Sequence, residues 1–368
     1  MTDTKKISYK QLAVLMTMSR LFADVVGHDP AGSEYSMQRF TVIVLSCIIL
    51  FLLYLPLIFL AVKHPGESAM SLIAEKSKGL GWLCGLAIAV TLLISSISSI
   101  CSMSFYSTGT VFVQASPVLL IILPLLVCAV AAWKGIQGIA RSGVIFGAVF
   151  VGFLLLISFS VWDRFNWRWL YPAFLEEPEL LFGQVLKQVG ESSEILIFAV
   201  LMEYVGEKTA HAVYWYIPAV MVLQILMLLV EIIVLGPFLS HAAFPFFTIS
   251  ALSDIVLFQR LDGINVAVWM LMCITKITVM LISIRTVFTR LAGEKAGKVS
   301  IWAALAVTAA VSVTLGRDTG FTSDLQKIFI SCIPLIAGGV LVPVIALVSA
   351  RTGTGKKAER GVVSEKSV

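Results

Sequence analysis

The stretch GESSEILIFAVL, residues 190–201, decides how this chain is to be read. Its last seven residues, 195–201, are all apolar, as in a membrane helix, yet Glu194 stands at their head with Gly190, Ser192 and Ser193 before it. An ionisable side chain at membrane depth costs roughly 3 kcal/mol or more unless it is paired or hydrated. Ser hydroxyls compete for backbone hydrogen bonds and Gly has excess backbone freedom, so the residues before Glu194 loosen a helix. The stretch predicts a helix interrupted ahead of Glu194. Irregular backbone inside a bilayer is tolerated only against protein or a cavity, so the break predicts a site. Glu191 points in a different direction, which leaves the central role to Glu194.

Composition supports a membrane setting. Of 368 residues, 58% are hydrophobic and only 13% charged, against about 25% charged in a soluble domain. Mean hydropathy is +0.95. A polytopic membrane protein without a sizeable soluble domain is expected, and the net charge of +5 is no nucleic-acid signal. The six cysteines lie in apolar runs, with no C-x-x-C pair and no His at ligand spacing. They read as small apolar fillers, and no disulfide framework, metal or cofactor is expected. Lys5 and Lys6 precede an apolar run, but Arg20 and Asp24 interrupt it and no small-x-small site follows. A cleaved signal is not expected.

Apolar windows of about 20 residues mark spans. Nine are clear: about 39–62, 80–105, 117–133, 140–161, 184–205, 212–236, 263–285, 299–316 and 327–350. Segment 8–27 makes a tenth. With ten spans and both termini in the cytoplasm, inside segments carry 18 Lys and Arg and outside segments 7. If segment 8–27 does not span, the split weakens to 15 against 10. The positive-inside bias thus favours ten. The domain expectation is one transmembrane domain over 1–350 and a basic cytoplasmic tail over 351–368.

Two non-membrane segments exceed simple turns: 64–81, after the second span, and 241–263, after the seventh. Each holds a Pro, a short amphipathic run, charges and a Gly. They fall at corresponding places in two five-span halves, about 8–161 and 184–350, on opposite faces. An inverted repeat produces that arrangement. Under it, spans 1 and 6 are counterparts. Span 1 carries Arg20 and Asp24, four residues apart and able to pair on one face. Paired interruptions at equivalent positions point to a midplane binding site. The loop 161–179, with Trp162, Trp167, Trp169 and Tyr171, reads as an interfacial aromatic belt.

Lys276 lies 12 residues beyond Ile264, ~18 Å along a helix, and is too deep to snorkel. Ser95, Ser99 and Ser102 form a polar face on span 3. The candidate ligand site takes Ser19, Ala23 and Asp24 from span 1, and Ser95 and Ser99 from span 3. Span 6 gives Gly190, Ser193, Glu194 and Phe198, and span 8 gives Cys273. Lys276 and Glu194 are the candidates for ion or proton coupling. Glu231, nearer the outer end of span 7, is secondary.

Several pieces in order resemble the B-subunit permease family of bacterial spore germinant receptors, the spore germination protein AB type of the amino acid–polyamine–organocation superfamily. They are KISYKQLAVL at 6–15, KHPGESAMSLI at 63–73, GIQGIARSGVIF at 135–146, ESSEILIF at 191–198, the LG at 235–236, FPFFTISALSDIVLFQRLDGINVAVW at 244–269 and ITKIT at 274–278. The resemblance implies an all-α, ten-helix fold of the leucine-transporter type with helices 1 and 6 discontinuous. It implies binding of a nutrient germinant, often an amino acid, and assembly with A-type and C-type subunits in the spore inner membrane. The family's helix 6 Glu falls on Glu194, its helix 8 Lys on Lys276 and its helix 5 Arg on Arg141, a further gating candidate. Two departures stand out: Phe22-Ala23-Asp24 where the family has Gly and Ser, and Ser192-Ser193 in place of Phe-Gly.

Two functions fit: a subunit that senses a small germinant, and a proton-coupled amino acid permease that transports it. A membrane enzyme is disfavoured, since no H-E-x-x-H, clustered Asp pair or nucleophile motif is present.

Overall fold

A computed structural model describes residues 6–26, 38–170, 178–206, 208–253, 261–316, 321 and 335–348. Every regular element in them is helical. In chain order they are α1 (Tyr9–Val26), α2 (Gln38–Lys63), α3 (Ala69–Lys76), α4 (Lys78–Gly109), α5 (Pro117–Lys134) and α6 (Ile136–Ser160). Then come α7 (Pro178–Gly190), α8 (Glu194–Leu201), α9 (Ala210–Leu235), α10 (Pro245–Leu252), α11 (Asp262–Ala292) and α12 (Glu294–Leu315). A last helical stretch, Gly339–Val348, is entered through the wide π-type turns of Ile336–Leu341.

Seven helices are long and apolar enough to cross a membrane: α2, α4, α5, α6, α9 with the turn that extends it to His241, α11 and α12. Each falls on an expected window. The molecule is therefore a multi-pass membrane protein. Window 184–205 is divided between α7 and α8, and window 8–27 is α1. Most of window 327–350 and all of the tail 351–368 lie outside the described residues, as does Cys332. The other five cysteines are free and buried, as expected of apolar fillers.

The helices sort by burial. In the apolar stretch of α11, 78% of residues are buried, against 33% in α5 and 28% in α6 and α12. α11 is the central post, and α5, α6 and α12 form an outer ring whose apolar faces meet lipid. α11 packs on α1, α4, α5, α6, α8 and α12. Close approach to α1 is set by Gly143 of α6, where a Cβ would meet Leu15 Cδ2 at 2.6 Å.

The segments expected at the interfaces carry α3 and α10, eight residues each. α3 begins with a reciprocal cap: Ser71 N–H donates to Ser68 Oγ at 3.2 Å, and Ser68 N–H to Ser71 Oγ at 3.0 Å. Of the aromatic loop, Trp162 and Trp167 are exposed, as an interfacial belt requires. Trp169 is instead half-buried and lies against Gly236. Gly236 ends α9 with φ +51°, a left-handed conformation that side chains disfavour, and a Cβ there would run into the Trp169 ring. Gly236→Ala is expected to destabilise the protein by about 2 kcal/mol through strain and overpacking. A lowered thermal midpoint in detergent checks this, and an unchanged midpoint refutes the packing of Trp169.

α1 runs without a break from Tyr9 to Val26. No interruption of span 1 occurs among the described residues, and 27–37 lie outside them. The reason is visible in the packing. Arg20, 1% exposed, is accommodated by a side-chain partner on another segment and not by opening the backbone of its own helix.

Candidate functional site

α7 stops at Gly190 and α8 starts at Glu194. The three residues between make tight turns, with Ser192 N–H on Val189 O at 3.0 Å and Ser193 N–H on Glu191 O at 2.9 Å. The serines take little space, so neighbouring helices come close at this point. Their hydroxyls then serve as partners for side chains on two other helices.

On one side is α1. Ser19 Oγ donates to Glu194 Oε1 at 3.0 Å, and Arg20 Nη1 donates to Ser192 Oγ at 2.9 Å. Ser192 Oγ in turn donates to Gln188 O at 3.2 Å, tying α7 into the same contact. On another side is α4. Ser95 Oγ donates to Ser193 Oγ at 3.4 Å, and Ser99 Oγ caps back on Ser95 O at 2.8 Å. Cys273 of α11 approaches Ser99 O with its Sγ at 3.9 Å. Ser19, Ser95, Ser99, Ser193, Glu194 and Cys273 thus form one connected group, with Gly190 buried at its edge.

Glu194 is fully buried, whereas Glu191 is only partly so. Its Oε1 holds the Ser19 hydroxyl, and its Oε2 has no hydrogen-bond partner among the described residues. A buried carboxylate oxygen left without a donor is costly and calls for an explanation. Ser19→Ala should leave the other oxygen without a donor as well, a loss of about 1 kcal/mol for a hydrogen bond of this kind. The thermal midpoint of purified protein checks this, and an unchanged midpoint would mean that the bond does not hold Glu194.

Lys276 is 3% exposed, on α11. Its Nζ stands 5.8 Å over the ring of Phe22 on α1, close enough for a cation–π contact. Glu194 and Lys276 form no ion pair among the described residues. Ala23 is half-buried on α1. Asp24 belongs to α1, and its side chain lies outside the described residues. Phe198 packs edge-on against Tyr54 of α2 at 5.7 Å, and Tyr54 against Tyr216 of α9 at 5.8 Å. Phe198 thus joins the packing of α2, α8 and α9. Arg141 is exposed near the start of α6 and is not part of the group.

Sequence reasoning missed Tyr54, which lies within electrostatic reach of Glu194 and of Arg20, and Tyr216, whose ring packs against that of Tyr54. The available signal was a lone hydroxyl inside an apolar run. It also missed Ser192 as the acceptor for Arg20.

A second polar layer closes the end of the bundle where α1 begins. Ile7 N–H donates to Tyr204 O at 2.9 Å, and the Tyr204 hydroxyl lies 3.1 Å from Thr286 Oγ1. Arg290 at the end of α11 grips Glu203 with two nitrogens, Nε to Oε2 at 3.2 Å and Nη2 to Oε1 at 3.1 Å.

The fold is similar to those of solved membrane symporters. Mhp1, a nucleobase-cation-symport-1 family transporter in a closed conformation with bromovinylhydantoin bound, is similar with a TM-score of 0.67 and 11% identity. That match covers 94% of this chain and 93% of that one. A Na+-coupled sialic acid symporter in a substrate-bound outward-open state gives 0.61 and 15%, over 94% of this chain and 79% of that one. Inward-facing Mhp1 gives 0.54 and 13%, over 91% and 78%. At these identities the likeness is one of fold, the leucine-transporter type. No curated protein matches the chain in sequence. A sequence profile of the spore germination protein family, Spore_permease, matches residues 6–318. That profile spans α1 to α12 and so includes the divided α7–α8 segment, the serines around it and Lys276: the chain belongs to the spore germination protein family, a family of permease-like membrane proteins.

Proposed function

We propose that this chain is the germinant-binding, permease-like subunit of a bacterial spore germinant receptor. It would act in the spore inner membrane with A-type and C-type subunits. The observation that carries this reading is Glu194: fully buried at the head of a restarted helix, one oxygen held by Ser19 and the other without a donor. Such an oxygen fits the ammonium of a small zwitterion. The ligand's carboxylate would lie at the start of α8, where the helix dipole favours an anion; the Ile195, Leu196 and Ile197 N–H groups there already donate to Ser192 O and Ser193 O, so the dipole and not a row of free N–H groups would hold it. Ser95, Ser99 and Ser193 would flank the amino acid, with Ser19, Ala23 and Asp24 on the α1 side and Cys273 on α11. Lys276 beside Phe22 would supply a fixed positive charge between α1 and α11.

The matching architecture is ten helices in a five-plus-five inverted repeat, about 8–161 and 184–350, within one domain over 1–350. The two eight-residue helices α3 and α10, each after the second helix of its half, support it. So does the division of the sixth span. Both termini and the tail 351–368 lie in the cytoplasm in this arrangement, which the Lys and Arg distribution favours. Ligand binding would act by differential affinity for two conformations.

One observation also favours a proton-coupled amino acid permease. The same unpartnered Glu194 oxygen is a place to hold a proton during a transport cycle. Purified protein in proteoliposomes separates the two. Binding of L-amino acids that needs Glu194, with no time-dependent uptake of radiolabel, is the result expected for a sensor. Concentrative uptake that collapses with the proton gradient would make the chain a permease.

A further inference from the structure

The end of the bundle that carries α10 holds buried polar groups unrelated to Glu194. Asn265 and Trp269 sit one turn apart on α11 and both are 0% exposed. Asn265 Nδ2 donates to Ser250 Oγ of α10 at 3.0 Å, while its Oδ1 accepts from none of the described residues. The Trp269 indole Nε1 likewise donates to none of the described residues. Its ring is boxed by two others, Phe150 of α6 at 5.8 Å and Phe246 of α10 at 6.0 Å, both at steep angles. One acceptor and one donor are therefore left open on the same helix face, about 6 Å apart along the axis, between aromatic walls. Buried polar groups normally find partners, and each exception needs a cause.

We propose that Asn265 and Trp269 form a second recognition site, under α10, for a neutral ligand group that carries both a donor and an acceptor: a hydroxyl or a carboxamide. Asn265 Oδ1 accepts from the ligand's O–H or N–H, and Trp269 Nε1 donates to its oxygen. A charged group is disfavoured, since both side chains are neutral and both flanking rings are apolar. Cys273, one turn beyond Trp269 on α11, touches Ser99 of the Glu194 group. Asn265 lies two turns, about 12 Å, beyond Cys273 along α11, out of reach of a side chain held at Glu194, so this is a separate site. Ser250 makes α10 its lid: opening α10 breaks the Asn265–Ser250 bond and admits the ligand. The site does not rest on the amino-acid reading above.

Titrations on the full-length protein test it. The probes are propionamide and its isostere 2-butanone, which keeps the acceptor and lacks the donor, each by equilibrium binding. Wild type should prefer propionamide by about tenfold, one hydrogen bond's effect. Asn265→Leu should erase that ratio, and Trp269→Phe should weaken both probes. An unchanged ratio in Asn265→Leu together with unchanged binding in Trp269→Phe overturns the proposal. Protein labelled with 15N-indole tryptophan supplies an independent readout, with the Trp269 signal assigned by its loss in Trp269→Phe. A Trp269 signal that neither propionamide nor ethanol moves overturns the site as well.

Discussion

Glu194→Gln is expected to weaken amino-acid binding by about 10- to 100-fold while the fold survives. The change replaces a charge-assisted hydrogen bond to an ammonium, about 1.5–3 kcal/mol, with a neutral one or none. Gln has the same shape, and its carbonyl oxygen can still accept the Ser19 hydroxyl that Oε1 holds now. It also removes a carboxylate that is fully buried and forms no ion pair with Lys276. The thermal midpoint of the empty protein should therefore stay the same or rise. Affinity and melting measured on one preparation separate the two effects. Unchanged affinity would mean that Glu194 is packing and not ligand chemistry. A large drop in the midpoint would mean that the charge has a structural partner.

Arg290→Ala is expected to cost about 3 kcal/mol of stability, toward the lower part of the range for breaking a buried, hydrogen-bonded charge pair. The two partners are unequally buried: the Glu203 side chain is 2% exposed and that of Arg290 is 41%. Removing Arg290 strands a carboxylate away from water. Removing Glu203 leaves a guanidinium that water can still reach. Glu203→Ala should therefore cost clearly less than Arg290→Ala, and Glu203→Gln combined with Arg290→Met less than Arg290→Ala alone. The same bond joins the turn after α8 to the end of α11, where Tyr204 also holds Ile7 and Thr286. Its loss should loosen the α1-start end of the bundle, read as faster hydrogen exchange at residues 6–12. Equal costs for the two single substitutions, or unchanged exchange there, would refute this account of the closure.

The membrane spans were legible because apolar length alone sets them, and the seven long helices fall on their windows. α7 ends at Gly190 and α8 begins at Glu194, where Gly and Ser before a carboxylate weaken a helix wherever it packs. Partners distant in the chain were not legible. Arg20 meets Ser192, 172 residues away, and helical periodicity on α1 offers only its neighbour Asp24. Phe198 shares a face with Glu194 by the i, i+4 rule, yet Tyr54 of another helix claims its ring. Trp169 looked like one more belt residue until Gly236 opened a space for it. Arg141 rested on resemblance alone, and its exposed place on α6 gives it no contact with the Glu194 group.

The central claim is that a small zwitterion binds where α7 gives way to α8. A cryo-EM map of the full-length protein in lipid nanodiscs, with an amino acid found by the binding screen, tests it most directly. The account predicts ligand density against residues 190–194, with its ammonium within hydrogen-bond distance of Glu194 Oε2 and its carboxylate at the N-terminal end of α8. Density elsewhere, with the Ser19–Glu194 contact unchanged and nothing at Oε2, would contradict it.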